Sequence, residues 1–159
     1  MSKTLASFSE LANVLETRAV AAVAAARAAL TEGAQLVKKT AQEKIGEYQP
    51  AAGDLPAWAP LSPVTQADRV AKGFSPDNPL LRTGALRDSI EIRPVTEDDV
   101  LVGVFDPEME TIAGAMEYGY YNVRAQTPVP PRSFIRGSAF ELARPIGESI
   151  GKAYKDTLE

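Results

Sequence analysis

Residues 7–46 read SFSELANVLETRAVAAVAAARAALTEGAQLVKKTAQEKIG, and the spacing of their apolar positions decides what kind of fold the chain can adopt. Ser7 and Glu10 have the Ser-x-x-Glu spacing of a capping box, in which hydroxyl and carboxylate each satisfy an orphan N–H at a helix start. From there Leu11, Leu15, Ala19, Ala22, Ala26, Ala29, Gly33, Leu36 or Val37 and Thr40 recur at steps of three and four. Glu16, Arg18, Arg27, Glu32, Gln35, Lys39 and Glu43 fill the other side. The pattern predicts one long amphipathic helix within residues 1–47, ending near Gly46. At about 1.5 Å per residue it reaches roughly 60 Å, more than the diameter of a compact domain of this size. That length favours a helix that projects and packs against another copy over one capped wholly by its own domain.

Outward from the helix, residues 48–81 form a proline-rich connector: Pro50, Pro56, Pro60 and Pro63 block helix and central strand alike, and Trp58 and Leu61 are placed to pin it to the body. Ser62-Pro63 is an N-cap and N1 pair, so a short helix is expected from Pro63 to Lys72, stopped by Gly73. Within residues 82–136, Thr83 is expected to cap a single turn through Arg87. Ser89 to Val95 and Val100 to Phe105 read as two strands of an antiparallel hairpin, with Pro94 at an edge. Thr111 to Tyr118 has helical spacing with Gly119 as C-cap, and Tyr120 to Pro131 reads as irregular. A last helix is expected from Arg132 or Ser133 through residues 137–159, interrupted at Gly137 and kinked near Pro145. The fold class is therefore α+β: a small antiparallel sheet flanked by a long N-terminal and a C-terminal helix.

The chain has 159 residues, enough for one domain with a real core, and is 45% hydrophobic and 24% charged with a mean hydropathy of -0.14. It contains no cysteine and no histidine, which excludes disulfides, thiolate nucleophiles, Cys/His zinc sites and histidine relays. No catalytic constellation, cofactor motif or metal set is read from it, and the expectation is a protein that is not an enzyme. Gly33 to Thr40 resembles a phosphate loop only superficially, since it lies inside a helix pattern. The adjacent acids Glu97, Asp98 and Asp99 lack calcium-loop spacing.

A net charge of -4 gives no footprint for gripping a phosphate backbone. The charge is segregated. Residues 91–117 hold Glu91, Glu97, Asp98, Asp99, Asp106, Glu108, Glu110 and Glu117 against Arg93 alone, whereas residues 118–140 hold Arg124, Arg132 and Arg136 and no acid. Such a pairing suits self-association between unlike faces. The segment after Lys3 lacks the apolar run of a signal peptide, and Ala19 to Leu30, mostly alanine and containing Arg27, is short for a membrane span. A chain made in the cytoplasm, with no membrane partner, is expected.

The block Pro79-Leu-Leu-Arg-Thr-Gly-Ala-Leu-Arg-Asp-Ser-Ile90, followed by Glu117-Tyr118-Gly119 and by Pro130-Pro131-Arg132-Ser133-Phe134-Ile135-Arg136, resembles the tail-completion, or virion-morphogenesis, proteins of tailed bacteriophages. Trp58-Ala-Pro-Leu-Ser-Pro63 with Thr65 is similar to a block in one branch of that superfamily, so the resemblance covers roughly residues 58–136. Where the family often has Arg-Pro-Phe, this chain has Arg132-Ser133-Phe134. The resemblance implies a structural role at the neck or tail top, in a ring, commonly of six subunits, around the channel for the genome. The implied partners are further copies of the chain, head-closure or connector proteins and tail-terminator or tail-tube proteins, with DNA passing through unbound. The implied location is the head–tail junction of the virion.

Under that reading Leu86 and Ile90 turn inward, and Arg82 and Arg87 stay outside to meet acidic neighbours at a subunit or partner interface. Glu117, Tyr118, Arg132, Phe134 and Arg136 serve a subunit or partner interface, and Glu97, Asp98, Asp99, Asp106, Glu108 and Glu110 line either the lumen or a neighbour. Two expectations follow: charge reversal at Arg132 and Arg136 weakens assembly without unfolding the monomer, and the body folds without residues 1–45. The competing reading is a helical adaptor or scaffolding module that binds a partner through its Ala-rich N-terminal helix.

Overall fold

The computed structural model describes residues 7–158. Its elements in chain order are α1 (Phe8–Lys44), α2 (Pro63–Ala71), α3 (Ala85–Asp88), β1 (Ile90–Pro94), β2 (Val100–Val104), α4 (Pro107–Tyr118), β3 (Tyr120–Asn122), β4 (Thr127–Val129) and α5 (Ile135–Asp156). The fold is α+β, with a long N-terminal helix, small antiparallel strand pairs and a C-terminal helix.

Local chemistry sets the helix starts. Ser7 Oγ accepts from Glu10 N–H at 3.2 Å at the head of α1, and Ser62 Oγ accepts from Thr65 N–H at 3.2 Å at the head of α2 with Pro63 in its first turn. The short α3 starts one residue later than the Thr83 cap implies: Gly84, at φ +90, is the N-cap, and Thr83 Oγ1 accepts from Ala85 N–H. Helix α4 also begins earlier than its apolar spacing suggests, because Asp106 Oδ1 accepts from the N–H groups of Glu108 and Met109 and Pro107 occupies the first turn.

Helix α5 lies antiparallel along α1, as three contacts show: Lys44 Nζ meets Glu141 Oε1 at 2.7 Å, Gly33 faces Ile146, and Arg18 Nη1 donates to the Leu158 carbonyl at 2.5 Å. The approach at Gly33 is close, since a Cβ there would stand 2.7 Å from Ile146 Cγ2. Gly137 does not interrupt α5; it is buried against Leu55, and its helical context overrides its low propensity. Pro145 likewise lies within the single helix Ile135–Asp156.

Strands β1 and β2 pair with Ile90 opposite Val104, and their buried side chains meet Ala41, Ile45, Trp58, Leu86, Ala113 and Phe134 in one core. The hairpin leans on α1, and its turn is held there by Arg27, which reaches Glu97 at 2.6 Å and Asp98 at 2.8 Å. Tyr120 to Pro131 is not irregular throughout: β3 and β4 form a second antiparallel hairpin, with Tyr121 opposite Pro128. Because Ala41 and Ile45 belong to the core, removing residues 1–45 removes the floor of the body, which corrects the expectation that the body folds without them.

The glycines give a test of the helix pairing. Gly33→Val wedges a β-branched side chain against Ile146 and is expected to destabilise by about 1–3 kcal/mol. Gly147→Ala, on the same helix pair but with nothing within 4 Å of its Cβ position, is expected to stabilise by up to about 1 kcal/mol. Thermal melts followed by circular dichroism check both, and equal signs for the two would show that α1 and α5 do not meet at Gly33.

Candidate functional site

Residues 116–119 and 132–136 meet at Glu117, and Arg132 ties the connector to them at Ala59. Helix α5 starts after Phe134, whose own side chain offers no cap, so its first N–H groups need an acceptor from elsewhere. Glu117, at the end of α4, supplies it: Oε1 accepts from Ile135 N–H at 2.5 Å and lies 3.4 Å from Arg136 N. The Glu117 carbonyl accepts from Ser133 Oγ at 2.9 Å and from Arg136 Nη2 at 3.1 Å, and Arg132 N–H donates to the Met116 carbonyl at 2.6 Å. Arg136 Nε stands 3.4 Å from Glu117 Oε2, and its guanidinium covers the Tyr118 ring at 4.4 Å. Gly119 closes α4 at φ +74, where a Cβ would meet the Val129 carbonyl oxygen at 2.7 Å. Only glycine fits there.

Burial is the largest influence on the Glu117 carboxyl and raises its pKa; the N–H groups of Ile135 and Arg136 and the Arg136 charge oppose that rise. Arg132 is pushed the other way by burial, below the usual guanidinium value. Its Nη2 donates to the Ala59 carbonyl at 2.8 Å, tying the connector to the start of α5, while its Nε has no hydrogen-bond partner. Phe134 is fully buried in the core. Glu117, Arg132 and Phe134, three of the expected interface residues, therefore direct their side chains into their own chain. Charge reversal at Arg132 and Arg136 would break these internal contacts, so the expectation that it spares the monomer does not hold.

Of the others, Leu86 and Ile90 are buried as expected, while Arg82 and Arg87 are half-exposed but engaged. Arg82 reaches Asp68 at 3.5 Å and lies over the Phe74 ring; Arg87 pairs with Asp88 at 2.8 Å. Tyr118 is exposed beneath Arg136. The acidic stretch also divides. Glu97 and Asp98 hold Arg27, Asp99 accepts from Thr96 Oγ1 within the turn, and Asp106 caps α4, which leaves Glu108 and Glu110 exposed in the first turn of that helix. Among the described residues no three acidic side chains gather as a metal set.

The sequence reading missed a groove of about 790 Å³ between the connector, α2, α3, α4 and the β3–β4 hairpin. Leu61, Val64, Ile112, Met116 and Val129 give it an apolar wall. Arg69, Arg82 and Arg132 are its only charged lining residues among those described. Arg69 is buried, with Nη1 donating to the carbonyls of Asn78 at 2.8 Å and Leu81 at 2.9 Å, so it shapes the rim rather than filling the groove. The signal available in sequence was the run of apolar residues in segments 60–65, 109–116 and 127–130, but nothing there tells that the three face one another.

By length and composition alone α1 is apolar enough to cross a membrane, a property not apparent from Ala19 to Leu30 taken by itself. Comparison with known family models, curated proteins and solved structures finds no match.

Two substitutions test the Glu117 junction. Glu117→Ala removes both the cap of α5 and the partner of Arg136, and is expected to cost about 2–4 kcal/mol in urea unfolding. Glu117→Gln keeps an acceptor for Ile135 and gives the pH dependence. Because the native-state pKa is raised, the stability that Glu117 supplies is full below its unfolded value, about 4.3, and declines as pH rises through the native value. The advantage of the wild type over Glu117→Gln is expected to shrink from pH 4 to pH 7; an advantage that widens would mean that the Arg136 charge outweighs burial.

Proposed function

We propose that the chain is a structural protein of the tailed-phage neck: a subunit of a ring, six copies in the family's usual form, that joins tail to head around the DNA channel. One observation carries the reading. The four blocks on which the resemblance rests lie far apart in the chain yet meet as a unit, with Arg132 reaching the carbonyl of Ala59, Glu117 capping the helix that follows Arg132-Ser133-Phe134, and Leu86 and Ile90 sharing a core with Phe134. Blocks that depend on each other for burial and capping are what a shared fold requires.

In this reading the chain performs no catalysis and holds no cofactor. It contacts its own copies, a head-closure or connector protein on one side and a tail-terminator or tail-tube protein on the other, and no membrane. It is made in the host cytoplasm and ends at the head–tail junction of the virion. DNA passes without specific binding, and the exposed Glu108 and Glu110 are the members of the acidic stretch left free of structural duties for a lumen or a neighbouring subunit.

The adaptor reading gains one support, since residues 8–21 of α1 are all exposed and offer a partner-binding surface. Truncation to residue 17, which leaves the core half of α1 intact, separates the two: an adaptor loses its whole activity, whereas a neck protein keeps its contacts with the neighbouring neck proteins through the body.

Deleting the gene from the phage or prophage that encodes it, followed by electron microscopy of the lysate, tests the role. Filled heads and finished tails that remain unjoined are the expected result, with joining restored by the chain supplied in trans. Normal joined particles would overturn the reading.

A further inference from the structure

The buried positions of α1 include Ala22, Ala29, Gly33, Val37, Ala41 and Lys44, a stripe at steps of three, four and seven that faces α5 and the core. The same stripe continues toward the N-terminus as Leu15, Leu11 and Phe8, but α5 ends at Asp156, and Leu158 already lies opposite Arg18. Residues Phe8 to Thr17 therefore extend about 15 Å, at about 1.5 Å per residue, beyond the helix that covers the rest of the stripe. Phe8 is 91% exposed and Leu15 57%. Phe8, Leu11 and Leu15 have the i, i+3, i+7 spacing of side chains that anchor a helix in a groove.

The chain has an apolar groove to match, but not within reach. It is walled by Leu86 of the core cluster, which also contains Ala41 and Ile45 at the far end of α1. Phe8 and Ala41 are about 50 Å apart along a continuous helix, at about 1.5 Å per residue. The tip cannot fold back onto its own groove, so it can enter only that of another copy. Charge agrees at one point: Glu10 and Glu16 are the charged residues between Ser7 and Thr17, and of the groove's three arginines Arg82 is the half-exposed one, 3.5 Å from Asp68, while Arg69 and Arg132 are buried against carbonyls of their own chain. Pairing two tips with each other instead would set these acids against acids and leave both grooves empty.

We propose that the N-terminal tip of α1, through Phe8, Leu11 and Leu15, docks in the groove between α2, α4 and the β3–β4 hairpin of a second copy. The contact is head-to-tail, joining unlike surfaces, and repeats from subunit to subunit until it closes or runs on as a filament. It rests on the self-association of the neck reading and names the surfaces that make it.

The absence of cysteine makes the test clean. Leu15→Cys and Ile112→Cys are single exposed substitutions, each made in the full chain and mixed under mild oxidation. A disulfide-linked dimer in the mixture, and in neither variant alone, is expected. Leu15→Asp should weaken self-association at least tenfold by sedimentation velocity, with an unchanged circular-dichroism melt. No cross-link in the mixture, a cross-linked dimer of Leu15→Cys alone, or a wild-type chain that stays monomeric at all concentrations would each overturn the docking. So would flotation of the wild type, lost in Leu15→Asp, with vesicles of phosphatidylethanolamine and phosphatidylglycerol, since the stripe would then belong to lipid. Rings seen without the cross-link remove this contact and leave the neck reading standing; the cross-link in a chain whose deletion leaves heads and tails joined does the reverse.

Discussion

A buried carboxylate, that of Glu117, sets the arrangement of this protein. Helix α5 begins at a residue with no cap of its own, and the acceptor for its first N–H groups comes from Glu117, at the far end of a different helix. Such a group is costly to bury as an anion, which is why its pKa rises, but a helix N-terminus and an arginine are the two environments that best offset the cost. The consequence is positional. Once α4 ends where α5 begins, the chain between them must turn back within sixteen residues, and Gly119 and the β3–β4 hairpin make that turn. Arg132, at the end of the return, then carries the connector with it through Ala59.

With its start fixed, α5 has one long surface to lie on. Its 22 residues run beside the 37 of α1, and Gly33 and the alanines let the two backbones approach closely. Small side chains bury little apolar area, so polar contacts at intervals hold the register: Lys44 with Glu141 at one end, Arg18 with the Leu158 carbonyl at the other. The first β-hairpin leans on the same helix, its turn held by Arg27. The two helices differ in extent: the apolar stripe of α1 reaches Phe8, whereas α5 ends at Asp156, with Leu158 opposite Arg18.

What could be read from sequence was what neighbours in the chain decide. Ser7, Ser62 and Gly119 mark helix ends through bonds spanning three residues or fewer or through a single φ, and the first hairpin follows from alternation in two five-residue strands. The second hairpin escaped because its strands have three residues each and one contains Pro128. Asp106-Pro107 has the same N-cap and N1 chemistry as Ser62-Pro63, but it stands in a run of acids and reads there as charge. Gly137 reads as a break because propensity is local, whereas its burial against Leu55 is not. The candidate site was the least legible part. Sequence shows that Arg132 and Arg136 are charged, not that one is buried beneath a carbonyl and the other closes on Glu117.

That distinction changes where assembly surfaces can be sought. An arginine already donating to carbonyls of its own chain, or paired with its carboxylate, cannot give them up to a neighbour without leaving buried partners unsatisfied, so the basic block around residue 132 is a poor adhesive despite its charge. The surfaces that remain are those whose apolar area the fold leaves uncovered: the tip of α1, where the stripe outruns its partner, and the groove beside α4, where three walls meet with no side chain to fill the space between them. They lie at opposite ends of one helix. A chain built this way commits its buried charged groups to its own fold, even leaving Arg132 Nε without an acceptor, and has two unlike hydrophobic surfaces uncovered; under the proposed docking, the angle between those surfaces decides whether a series of copies closes into a ring.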